Sequence, residues 1–475
     1  MTDRNALPVA VIGAGPVGLA AAAHLLARGI EPLVFEKGST AGATIAEWSH
    51  VRVFSSWDYN VDKAARALLE ATRWSMPDPD YLPTGGELIA DYLAPLAAHP
   101  SIAPTLHLKA EVLAVAREGH SKLSGTDRDT SPFVVVWRDA DGHRHRTLAR
   151  AVIDASGTWT KPNPIGADGL PVEGEIENAD RIVYGIPDVL NSAREDYASK
   201  HTLVIGAGHS AINAALDLLD LQDEAPGTRL TWATRSGGIA RLLGGGLADE
   251  LPGRGHLGIR AGEAIRSGRV NFRSPFVVQH IDRTEDGLRV SGEEDGKDVV
   301  FDVDRIVVAT GFRPDLSILS ELRLSLDPVV ETTPALAPLI DPNLHSCGTV
   351  RPHGVVELGH PEKDFYVVGM KSYGRAPTFL MTTGYEQVRS VVAELAGDHA
   401  AAREVQLKLP ETGVCMVNSA APTSPCCAPA PVASSCCGGA PKVDVSACCA
   451  ADETAKAEGK TGCGCATKDA PELTA

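Results

Sequence analysis

Short, unbroken apolar runs recur along the first 400 residues, and glycine ends most of them: PVAVI at 8–12, RAVIDASG at 150–157, HTLVI at 201–205 and RIVVATG at 305–311. Four or five apolar residues without alternation predict strands covered on both faces, as in a parallel sheet flanked by helices. Two of the runs enter glycine-rich turns and then helical patterns, LAAAAHLLARG ending at Gly29 and INAALDLLDLQ over 212–222. A further strand follows each helix, EPLVFEKG at 31–38 and RLTWATRSG at 229–237. The order strand, glycine turn, helix, strand thus occurs twice. It predicts an α/β chain with two Rossmann-like, three-layer nucleotide-binding units. No stretch of about 18 apolar residues, the length of a membrane span, interrupts the pattern.

Length and charge narrow the class. The 475 residues are enough for two or three domains. A net charge of -17 argues against nucleic acid and anionic membrane as partners, since both repel an acidic surface. The start, MTDRNALPVAVIGAG, lacks the charged and apolar regions of a signal peptide, and a soluble cytoplasmic protein is expected. Of ten cysteines, Cys347 stands alone in the first 410 residues, and nine crowd into the rest: Cys415, Cys426, Cys427, Cys436, Cys437, Cys448, Cys449, Cys463 and Cys465. After Leu409 the composition turns to Ala, Pro, Ser, Gly and Cys, so 411–475 is expected to be a disordered tail.

The glycine turns carry the chemistry. In Gly13-Ala14-Gly15-Pro16-Val17-Gly18 the first glycine makes the turn, the second admits a pyrophosphate and the third lets helix and strand approach. The helix start then offers unpaired N–H groups and the positive end of its dipole. Glu36, at the end of the next strand, is placed to accept hydrogen bonds from a ribose diol. The second turn, Gly206-Ala207-Gly208-His209-Ser210-Ala211, leads through a helix to a strand that ends in Arg235. A cation there suits a 2'-phosphate, so NADPH is expected in the second site. His209 reads as a helix-start residue. Two unlike nucleotide sites imply electron flow from nicotinamide to a flavin.

Together these residues resemble the flavoproteins with two dinucleotide-binding domains, and among them the class B flavin monooxygenases. The resemblance covers about residues 8–400 and includes Asp154-Ala155-Ser156-Gly157-Thr158 and Ala309-Thr310-Gly311-Phe312-Arg313-Pro314 as crossover segments. It implies an FAD domain of 1–162 and 300–405 with an NADPH domain, 163–299, inserted into it. KPNPIG at 161–166 is then the outward linker, and PTGGELIADYL at 83–93 the helix before a strand pair. It further implies cofactor contacts at Gly42, Trp48, Ser55, Val112, Gly157, Ser210, Thr310, Gly311 and Gly369, with SSWDYN at 55–60 near the flavin. Trp57 and Tyr59 in that loop are either site or core aromatics. Relatives carry Gly-Asp where this chain has Gly369-Met370. Their Phe-Gly-His fingerprint is absent from ENADRIVYGIPD, where Asn178, Asp180 and Tyr184 stand instead and only Asp188 fits. The glycine-rich stretch 237–258 is expected to be a surface loop or a lid, with Arg241 and Arg254 as further cations for the 2'-phosphate.

No acid–base dyad is evident, and no catalytic residue is assigned; in flavin oxygenation the cofactor carries the reactive chemistry. A thiol–disulfide reductase needs paired cysteines in the body, and Cys347 is single. The tail cysteines call for a different account. Adjacent Cα atoms lie about 3.8 Å apart, below the roughly 4.4 Å a disulfide needs, so each CC pair suits a soft ion better than a bridge. Cys426, Cys427, Cys436, Cys437, Cys448, Cys449, Cys463 and Cys465 are therefore candidate ligands for As(III), Hg(II) or a similar ion. The sequence supports an NADPH- and FAD-dependent monooxygenase-like oxidoreductase, using molecular oxygen on a small-molecule or metal(loid) substrate, in arsenic or heavy-metal resistance. The alternatives are a flavin-dependent metal(loid) reductase fed by the tail, and a metallochaperone or redox sensor without turnover.

Overall fold

The structure is a computed structural model that describes residues 4–236, 251–343, 350–376 and 379–407. Arg241, Cys347, Cys415 and every candidate tail ligand lie outside these residues. Two five-stranded parallel sheets organise the rest. The first has the order β16-β7-β1-β2-β3, built from β1 (Val9–Ile12), β2 (Pro32–Phe35), β3 (Leu106–His107), β7 (Ala151–Asp154) and β16 (Phe365–Val367). The second has the order β11-β10-β9-β15-β8, from β8 (Ile182–Tyr184), β9 (His201–Ile205), β10 (Arg229–Ala233), β11 (Asn271–Arg273) and β15 (Arg305–Val308).

The unbroken apolar strands owe their pattern to burial on both faces. In β1, Val9 and Val11 face α1 (Pro16–Ala27) and α4 (Met381–Leu395), whereas Ala10 and Ile12 face Val115, Phe133 and Val135 of an antiparallel sheet. That sheet is β4 (Glu111–Arg117), β5 (Phe133–Arg138) and β6 (Arg144–Ala149). The second unit repeats the layering. Val204 packs with α2 (His209–Glu224) and α3 (Pro252–Arg266), and Leu203 and Ile205 pack on β12 (Phe276–Arg283), β13 (Leu288–Glu294) and β14 (Lys297–Val303). Helix, parallel sheet and antiparallel sheet thus form three layers twice over.

Three expectations change here. The second sheet extends through Val308, so a division at residue 300 cuts through β14. Part of the expected glycine-rich loop, from Pro252 onward, is the start of α3; Pro252 suits a first helical turn, and Gly255 and Gly258 are buried. The helix around 83–93 runs from Gly85 to Ala97, opened by a Thr84–Glu87 capping box and π-wound over Ile89–Leu93.

A buried charge cluster fastens the antiparallel sheet of the first unit. The Glu362 carboxylate accepts from Arg117 Nε at 2.8 Å, from Arg128 Nη1 at 2.6 Å and from the Arg323 amide at 2.8 Å. All three charged side chains are almost wholly buried. Burial opposes the charge on Glu362, but the Arg323 amide and the two guanidiniums outweigh it and hold the carboxyl below its usual range.

Candidate functional site

The residues of the first cradle sit where β1, β2, β7 and β16 end, the side of a parallel sheet on which α/β proteins bind ligands. Gly13 has φ +98°, and a Cβ there would stand 2.8 Å from the Ala155 carbonyl oxygen. At Gly18 a Cβ would lie 1.9 Å from the Gly13 oxygen, whereas at Gly15 it would meet nothing within 4 Å. Turn, close packing and open approach are thus divided among the three glycines as the motif requires. Gly15 is also the N-cap of α1, and no side chain caps that helix start. The space and donors fit a pyrophosphate. Glu36 accepts from the Ala14 amide at 2.8 Å and from the Gly38 amide at 2.7 Å. A carboxylate has about four acceptor positions, which leaves capacity for a diol.

Of the other expected flavin contacts, Gly42 and Gly369 touch this turn. The Gly42 amide donates to Ala14 O at 3.0 Å, and Gly157, at φ +71°, faces open space. Val112 lies opposite Trp137 on β5, beside a cluster of Phe35, His107 and Trp137 rings. Ser55 bonds Asn60 at 2.8 Å, and Asn60 O in turn accepts from Tyr385 of α4 at 2.7 Å. Trp57 is core, 1% exposed, while Tyr59 is half-buried. Gly369 has φ +69° and packs against Val17 of the glycine turn, with its amide donated to Gln387 at 2.7 Å.

The second cradle repeats the device. Gly206 has φ +143°, with a Cβ position 2.3 Å from Ala309 O, and Gly208 faces open space at the uncapped start of α2. Ala211, wholly buried, replaces the third glycine, and Ser210 follows in the first turn of the helix. Arg235 lies two residues past β10, exposed, and donates to Ala167 O at 3.2 Å. Arg254 is 6% exposed, with its guanidinium 6.0 Å from the Phe54 ring centre, so it sits against the flavin-side loop. Thr310 and Gly311 tie the two chain crossings together. Thr310 Oγ1 donates to Asn163 O at 2.7 Å, and the Asn163 amide to Gly311 O at 2.9 Å.

The two cradles share an aromatic wall that the sequence reading missed. Phe54 meets His209, at the start of α2, with ring centres 5.0 Å apart. Trp159, just past the first crossover, stacks on Phe312 at 4.5 Å, faces Trp48 at 6.3 Å and donates to Glu47 at 2.7 Å. His50 stands beside Asp188; burial lowers its pKa against the opposing pull of Asp188 and the Pro187 carbonyl. Nothing local in the sequence marks Trp159, Phe312 or His50 as a set. The positions that depart from the monooxygenase fingerprint have structural partners: Asn178 bonds Gly174 O at 2.8 Å, Asp180 pairs with Arg283, and Tyr184 with Glu175. Among the described residues, potential metal-ligand atoms converge at Asp139, Asp141 and His143, in a turn where Asp139 caps the other two amides. No helix among them is long and apolar enough to cross a membrane.

Comparison with known proteins adds the family. A pyridine nucleotide-disulphide oxidoreductase family model matches residues 10–346. Curated relatives include mouse dimethylaniline monooxygenase [N-oxide-forming] 4, 27% identical over 45% of this chain and 36% of its own length. A rice indole-3-pyruvate monooxygenase, YUCCA1, is 26% identical over 44% of each chain. The chain therefore spans well under half the length of these relatives. Among solved structures, the bacillithiol disulfide reductase Bdr (YpdA) from Bacillus cereus has a TM-score of 0.60 at 19% identity, covering 82% of this chain and 99% of its own. The ornithine N-hydroxylase of Kutzneria sp. 744 has a TM-score of 0.56 at 16% identity, covering 84% and 100%. These two share the fold. With the family model spanning both glycine cradles, the chain belongs to the pyridine nucleotide-disulphide oxidoreductase family.

Proposed function

We propose that the protein is an NADPH-dependent, monooxygenase-like flavoenzyme that acts on a small molecule, in the setting of arsenic or heavy-metal resistance. The observation that carries the oxygenase reading is the pair of cradles, with Glu36 beside the first and Arg235 beside the second, meeting across the Phe54–His209 contact in a body with one cysteine. A reductase of the disulfide type would need a second body thiol. The likeness to flavin monooxygenases supports the same choice. When bound, FAD supplies the electron transfer from NADPH and the reaction with oxygen.

This chain's residues do the rest. The amides at the start of α1 and the space over Gly15 take the pyrophosphate, and Glu36 takes the ribose. Those at the start of α2, with Arg235, take the nicotinamide dinucleotide and its 2'-phosphate. Trp48, Phe54, Trp159 and Phe312 exclude water between the two sites. The test is NADPH oxidation by the purified protein with oxygen uptake recorded alongside. Oxygen consumption tied to NADPH and to an oxygenated product is expected; equal NADPH oxidation without oxygen, in the presence of a metal(loid), would establish the reductase instead. In the same assay Arg235→Ala should cut the preference for NADPH over NADH by about 1–2 kcal/mol, roughly 5- to 30-fold, the lower range because the residue is exposed and screened.

The metal(loid) setting rests on nine cysteines after residue 410. A segment whose part is to gather soft ions would not be needed by the flavin chemistry. Deleting 411–475 should leave FAD content and NADPH-driven flavin reduction unchanged and remove high-affinity binding of arsenite or Hg(II), read by isothermal titration. Equal affinities of full-length and truncated protein would sink the metal(loid) assignment and leave the flavoenzyme.

A further inference from the structure

An ion pair at the back of the first cradle has no part in the oxygenase reading. Lys371 lies two residues past Gly369, is 3% exposed, and donates to Asp154 Oδ2 at 2.7 Å and to Ser156 Oγ at 3.0 Å. Asp154, the wholly buried last residue of β7, accepts on its other oxygen from the Ser156 amide at 3.1 Å and hydroxyl at 2.6 Å. The next residue, Ala155, supplies the carbonyl that Gly13 abuts, and Gly157 follows at the open face. A buried charge is strongly disfavoured without a counter-charge, so the Lys371 ammonium and the Asp154 carboxyl compensate one another where Asp154 holds the 154–157 turn. The segment after β16 thus contributes a cation to the turn, and the acid comes from β7.

We propose that Lys371 is a positioning residue of the flavin site: by neutralising Asp154 and fixing Ser156 it seats the 154–157 turn against Gly13, and FAD affinity depends on the pair. The proposal rests on the flavin assignment of the first cradle and not on the oxygenase reading. Apoprotein is titrated with FAD, followed by flavin fluorescence, with no nicotinamide or substrate present; NADP+ affinity is measured separately.

Lys371→Met should weaken FAD more than about tenfold while NADP+ affinity stays within about twofold, a split that a general loss of stability does not produce. The double variant Lys371→Met/Asp154→Asn should recover most of the FAD affinity, because no buried charge is left unpaired. Should Lys371→Met fail to fold, Asp154→Asn alone decides, with weakened FAD and unchanged NADP+ expected. Wild-type affinity in either single variant, or a double variant no better than Lys371→Met, overturns the proposal. Failure of the wild-type protein to take up FAD would overturn the flavin assignment instead.

Discussion

Gly18→Ala should yield a protein that no longer holds FAD. The new methyl carbon would stand 1.9 Å from the Gly13 oxygen and 3.0 Å from its carbonyl carbon, both main-chain atoms that cannot rotate aside. Relief requires α1 to move away from β1, at the centre of the first sheet. Overpacking of this kind costs about 1–3 kcal/mol or more, enough for roughly 5- to 150-fold weaker FAD and a lower melting temperature. Gly15→Ala is the informative partner. Its methyl meets nothing within 4 Å in the protein, so the melting temperature of the apoprotein should be unchanged while FAD is still lost. FAD content after gel filtration, read beside a thermal melt, separates the two. A fully yellow Gly15→Ala protein would mean that the pyrophosphate lies elsewhere.

Glu362→Gln should destabilise the body by about 3–5 kcal/mol without touching either cradle, because it leaves Arg117 and Arg128 buried without their counter-charge. Urea titration of the flavin-free protein measures it. The wild-type contribution also has a defined pH dependence. The folded carboxyl is held below its ordinary value, so its stabilisation is complete above the usual carboxylate range and is lost as pH falls through the lowered value. The variant should lack that acid limb. A variant as stable as wild type across the acid range would show the cluster to be energetically neutral.

Both glycine turns and the strands that feed them were legible in the sequence, because each element depends on a local rule. A strand covered on both faces must be apolar throughout, and a backbone at φ +98° or +143° next to a carbonyl needs glycine. Long-range pairings were not legible. Lys371 and Asp154 are 217 residues apart, and Arg117 and Glu362 are 245 apart. Neither pair differs in type from the surface charges around it. The α3 helix was obscured by its glycines, which read as loop until Gly253 is seen against Phe54 and Gly255 and Gly258 in the buried face. Trp159 and Phe312 meet only because Asn163 and Gly311 pair the two crossings, a contact with no sequence period.

The seat of each nucleotide turn is made from unequal halves. On one side stands a glycine, Gly13 or Gly206; on the other a main-chain oxygen, of Ala155 or Ala309. The oxygen belongs to the backbone, so at this contact the fit depends on the glycines alone; the side chains of 155 and 309 are limited instead by the core they pack in. The two halves are therefore constrained for different reasons. A saturation library should retain only small residues at 155 and 309, because larger ones overpack the core, and almost nothing but glycine at 13 and 206, because any Cβ meets a main-chain oxygen.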